Sequence, residues 1–216
     1  GIKDGKIPLE VSANMSASLG PLQAVVERLG ITATVDFPGS GGNLGPVNIG
    51  FGFKPPNGVG LSINAGPVSG GGYLFFDTDK EEYDGVLQLD LAQIVTVTAI
   101  GLITTRMPDG SKGFSLLIII TAEFATGIQL GFGFTLLGVG GLLGLNRTMN
   151  LQALAEGVRN GALTNIMFPH DVIANAPRII SDLRNFFPPE NGKFLIGPMV
   201  KLGWGTPTLV SLSLGI

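Results

Sequence analysis

The chain has 216 residues, no cysteine and one histidine, with 44% hydrophobic and only 13% charged residues. Its formal net charge is −3 and its mean hydropathy is +0.42. Disorder, which needs low hydrophobicity and high charge, is excluded, as is a disulfide scaffold. No basic block exists, so no nucleic-acid partner is expected.

Glycine is 34 of the 216 residues, far above the usual ~7%. The glycines follow no three-residue period, so collagen is excluded. The chain opens on Gly1 without a leader-like basic and apolar run and stops inside an apolar alternation, Val210 to Ile216. Such ends read as those of a fragment of a longer protein.

Period-two alternation dominates and predicts strands with one buried face. Leu9–Met15 alternates first. Pro21-Leu-Gln-Ala-Val-Val-Glu-Arg-Leu29 then reads as a helix, with Pro near its first position and Gly30 as terminator. Ile31–Phe37, Val47–Phe53 and Leu61–Ala65 are strands, separated by Pro38–Asn43 and Lys54–Gly58 loops. A turn over Thr78–Glu82 joins Gly72–Asp77 to Tyr83–Leu91. Met107-Pro-Asp-Gly-Ser-Lys-Gly113 is the strongest hairpin signal, joining Gln93–Arg106 to Phe114–Phe124.

Residues 124–146 carry no charge, enough length for a crude membrane span. Seven of them are glycine, which disfavours a helix, and Ile128–Leu136 alternates strictly. The stretch therefore reads as strand, with Gly138–Gly141 as a turn or bend, and no transmembrane helix is expected. One Trp and two Tyr are too few for the girdles of a membrane β-barrel. A helical insert follows over about 150–187. Asn150 caps Leu151–Leu163, and Asn175 caps Ala176–Phe187, which Pro188-Pro189 stops.

The fold predicted is mainly β, a single domain over 1–216. It is an antiparallel curled or barrel-like sheet of about ten to twelve strands, with two or three short helices over one end or face. The small-residue face suits close approach of another backbone.

Chemistry-bearing groups are sparse. His170 is the only histidine, beside Asp171, and no Gly-x-Ser-x-Gly elbow accompanies it. Pro169-His-Asp171 reads as a turn. Asp77-Thr-Asp-Lys-Glu-Glu-Tyr-Asp84 is the one acidic cluster, and it fails the calcium-loop pattern because Glu82 and Gln88 stand where Gly and Glu are needed. No metal site and no cofactor are predicted. No glycine-rich run ends in Gly-Lys-Ser/Thr. Arg147 ends a long apolar strand, and the readings are a snorkelling side chain, a cap on a neighbouring carbonyl or a pair with Asp171 or Asp182. Phe132 and Phe134, on the large-residue face, and Trp204, in Leu202-Gly-Trp-Gly-Thr-Pro207, are the candidate ligand-binding residues.

Four stretches carry a resemblance: Leu130-Gly-Phe-Gly-Phe-Thr-Leu-Leu-Gly-Val-Gly-Gly-Leu-Leu-Gly-Leu-Asn-Arg147, Met167-Phe-Pro-His-Asp171, Asn175-Ala-Pro-Arg178 and Gly197-Pro-Met-Val-Lys-Leu-Gly-Trp-Gly-Thr-Pro207. Together they resemble an uncharacterised bacterial domain of unknown function, found within very long β-rich proteins. The resemblance implies a module of a large chain and supplies no catalytic residue.

Three functions stand at this point. A non-enzymatic structural or interaction module, packing against neighbouring modules of the same or other chains, is favoured by sparse charge and missing catalytic groups. A carrier holding lipid against a curled sheet is the second. A hydrolase using His170 is the third.

Overall fold

A computed structural model describes residues 6–205 and 207–215. Among the described residues the chain is mainly β, with eleven antiparallel strands and three short helices. It divides into two compact units, Gly1–Gly60 and Leu61–Ile216.

The first unit is built on β1 (Lys6–Leu19), β2 (Leu22–Asp36) and β3 (Asn48–Lys54), with β2 in the middle. Directly opposed residues share a face. Ile7, Val35 and Ile49 form one row, Leu9, Ala33 and Phe51 the next, and Val11, Ile31 and Phe53 a third. The helix expected over Pro21–Leu29 is instead the start of β2. Gly20, at φ 58°, and Pro21 make the two-residue hairpin turn between Leu19 and Leu22. A bulge at Glu27 and Arg28 explains the misreading. Pairing slips from Ala13↔Leu29 to Met15↔Val26, and the extra residue breaks the alternation into a helix-like spacing. Arg28 sits at φ 55°, and its N–H donates to Asn14 Oδ1 at 2.9 Å.

The second unit carries β4 (Gly58–Ala65, from Leu61 on), β5 (Val68–Asp77), β6 (Glu82–Leu91), β7 (Val95–Arg106), β8 (Lys112–Gly131), β9 (Phe134–Arg147), β10 (Pro189–Trp204) and β11 (Val210–Gly215), in that spatial order. The helices α1 (Leu151–Arg159), α2 (Ala162–Met167) and α3 (Ala176–Phe186) lie between β9 and β10 in sequence. The single helix expected over Leu151–Leu163 is two, broken at Asn160 and Gly161, the latter left-handed at φ 78°. Asn150 caps α1 as predicted, accepting from Ala153 N at 3.1 Å. Asn175 precedes α3 without capping it through its side chain; its Nδ2 donates to the carbonyls of His170 and Asp171. No helix of the described residues is long and apolar enough to cross a membrane.

Two further expectations are corrected. Ile128–Leu136 is not one strand. Phe132 and Gly133, at φ 50° and 80°, turn the chain back, so that Gly131 pairs with Phe134. The alternation runs through the turn unbroken, which hid it. Gly138–Gly141 does not bend the chain but lies inside β9. A Cβ on Gly138 would come within 3.0 Å of the Phe168 ring, so this glycine allows close packing.

The helices cover one face of the second unit's sheet. Val86, Ile100, Leu102, Leu117, Ile119 and Met199 project from the strands into a core closed by Ile166, Phe168, Val172, Ile179, Leu183 and Phe186. The opposite face is apolar as well. Leu87, Ala99, Ile120, Gly141 and Pro198 run across it in one row, and Gly85, Gly101, Ile118, Leu143 and Ile196 in the next. Leu89, Val97, Ala122, Val139 and Val200 flank them on one side; Tyr83, Ile103, Leu116, Leu145 and Phe194 flank them on the other. The Tyr83 hydroxyl is the single polar side-chain group in those four rows. Ile120 and Phe194 remain 52% and 56% exposed.

Leu117 is fully buried, whereas Ile120 stands on the open face. In the monomer, at a dilution below any association, Leu117→Ala should cost about 2–5 kcal/mol in urea unfolding, and Ile120→Ala less than about 1 kcal/mol. Equal costs would show that both faces are covered.

Candidate functional site

Three places in the second unit bring chemistry-bearing side chains together. The first is the end of the β8–β9 hairpin, which carries Phe132 and Phe134 and brings Phe134 beside Trp204. Phe134 pairs across with Trp204, and the indole edge lies against Gly133. Gly205 N–H donates to the Gly133 carbonyl at 2.9 Å, tying the end of β10 to the turn. Phe132 is at the tip, 99% exposed. A phenylalanine at positive φ takes a place that Gly, Asn or Asp fills more cheaply. Phe134 and Trp204 are on the same face as Leu136 and Leu202, a continuation of the open apolar face.

The second place is a cavity of about 260 Å³ between the helices and the covered face of the sheet. Leu154, Leu163 and Ile166 bound it from the helices, and Ile119, Leu142 and Leu195 from the strands. Met149, Met167 and Met199 complete its wall, and no lining residue has a polar side chain. Sequence reasoning missed this site, because its walls come from distant segments and each reads as ordinary core.

The third is a charge cluster at one end of the covered face, buried at Asp84 and Arg147 and partly exposed at Glu82 and Arg184. The alternation of β6 turns Glu82 and Asp84 toward the helices. Arg184 of α3 reaches both, pairing with Asp84 Oδ2 and lying 2.7 Å from Glu82 Oε2. Arg147, 1% exposed, donates to the Phe187 carbonyl at 3.0 Å and to Thr104 Oγ1 at 3.1 Å. Of the readings open for Arg147, the carbonyl cap is realised, and neither Asp171 nor Asp182 is its partner. Its Nε and the Ser115 hydroxyl are buried without a hydrogen bond. Burial raises Asp84 to about 6 against the opposing pull of Arg184. Burial also pulls Arg147 down to about 10, so it stays charged at neutral pH.

The other sequence candidates stay apart. His170 is exposed in the turn after α2, where its carbonyl accepts from Asn175. The acidic stretch is divided: Asp77 pairs with Lys80 at 3.0 Å, Glu81 with Arg106 at 2.8 Å, and Glu82 and Asp84 with Arg184. Among the described residues no three His, Cys, Asp or Glu side chains gather in a way that would hold a metal ion.

The charge cluster makes a pH prediction. An acid whose folded value is raised keeps its proton in the folded chain while the unfolded chain has lost it. Its contribution to stability is therefore full at low pH and is lost as pH rises from about 4 to about 6. Carboxyl NMR should show Asp84 titrating near 6, and Asp84→Asn should remove this part of the pH dependence of the urea midpoint. A titration near 4 would contradict the burial argument.

The model of a family of unknown function, DUF6603, matches residues 1–216. No curated protein and no solved structure matches the chain.

Proposed function

The chain belongs to DUF6603, a family of unknown function, and from its geometry we propose that it is a non-enzymatic interaction module. The open face of the second unit's sheet packs against the corresponding face of a neighbouring module. One observation carries this reading: four cross-strand rows over β6–β10 hold a single polar side-chain group, the Tyr83 hydroxyl. An antiparallel sheet normally alternates apolar inside and polar outside, and both faces are apolar where both are covered.

Four rows over five strands span about 27 by 24 Å, roughly 650 Å² per partner. Two such faces bury about 1,300 Å² together, within the range of specific interfaces. Sheet-on-sheet packing at about 10 Å would interdigitate Leu and Ile ridges with the gap that Gly101 leaves. A Cβ on Gly101 would meet nothing within 4 Å.

A second reading is a carrier of a hydrophobic ligand. It is favoured by the cavity beneath the helices, whose lining side chains offer hydrocarbon and thioether groups alone.

Sedimentation velocity tests the docking reading. The purified chain should self-associate at micromolar concentration, and Ile120→Lys with Leu143→Lys should shift it to monomer by at least tenfold in Kd, with the melting transition retained. A monomeric parent chain, or association that survives both lysines, would overturn the reading.

A further inference from the structure

The pocket of about 260 Å³ is open to solvent on one side, so without a ligand its apolar lining faces water at a cost of ~25 cal/mol per Å². Water is a poor filler, because it needs two to four polar partners and the lining side chains offer none.

We infer that this cavity is a binding site for one unbranched alkyl chain, of a fatty acid or similar single-tailed amphiphile. The inference rests on the carrier reading and names its ligand class. At about 30 Å³ per methylene, the share that one water takes in the liquid, the cavity holds eight or nine carbons. Met149, Met167 and Met199 supply flexible, polarisable walls that adapt to a linear chain. Met149, 49% exposed, stands at the open side, so a polar headgroup stays in water while the tail enters.

The test uses straight-chain carboxylates from six to fourteen carbons, below their micelle concentrations, added to the chain labelled with ¹³C at its methionine methyls. Met149, Met167 and Met199 should shift on binding, while Met15 and Met107 stay in place. Affinity should rise about fourfold per methylene, the equivalent of ~0.8 kcal/mol, up to about nine carbons and then level off. Leu163→Phe or Leu154→Phe, filling the cavity, should weaken binding at least tenfold and raise the melting temperature. Ile120→Lys with Leu143→Lys, on the other face, should leave binding intact. No binding by any chain length would remove both the carrier reading and this inference. Binding without a length limit, with equal shifts at Met15 and Met107, or undiminished by the filling variants, would overturn the inference alone and leave a carrier that uses another surface.

Discussion

Side-chain alternation along β8 places Leu117 and Ile119 under the helices and Leu116, Ile118 and Ile120 on the opposite face. Both sets are aliphatic, so this strand cannot satisfy the hydrophobic effect with one cover. The same holds for its neighbours, since Val97, Ala99, Gly101 and Ile103 of β7 oppose the β8 residues of the open face. The helices use only the buried alternates. The strand sequences therefore leave a second apolar face open. The docking reading follows from that constraint and needs no assigned catalytic group.

The covered face is organised differently at its two ends. At one end, Arg184 ties α3 to Glu82 and Asp84 of β6, and Arg147 ties the end of β9 to the chain leaving α3 through the Phe187 carbonyl. Buried charges add little net stability, but removing one partner strands the other. They fix where α3 sits on the sheet. Toward the β10 side the contacts are loose, with methionines and a void in place of close aliphatic packing.

Much of the architecture was legible in the residues. Alternation located most strands, Pro108-Asp-Gly110 located the β7–β8 turn, and Asn150 marked the start of α1. The failures have local causes. The Glu27–Arg28 bulge broke a period of two and made a strand look helical. The Phe132-Gly133 turn preserved the alternation and made two strands look like one. Gly138–Gly141 looked like a bend because the ring of Phe168, thirty residues away, could not be seen to need the space. Of the three residues singled out, Phe134 and Trp204 pair across β9 and β10, while Phe132 stands exposed at the turn. The cavity and the Asp84–Arg184 pair were invisible, since each joins segments whose contact only the tertiary structure creates.

The chain has no cysteine, so one introduced thiol reports on one place alone. The most direct measurement is the maleimide labelling rate of Leu87→Cys and Ile120→Cys, on the open face, against Asp109→Cys in the exposed β7–β8 turn, over a range of protein concentrations. Docking predicts that the two open-face thiols label at least tenfold more slowly when concentrated and recover on dilution, while Asp109→Cys does not change. Open-face thiols that label as fast as Asp109→Cys at every concentration would contradict it.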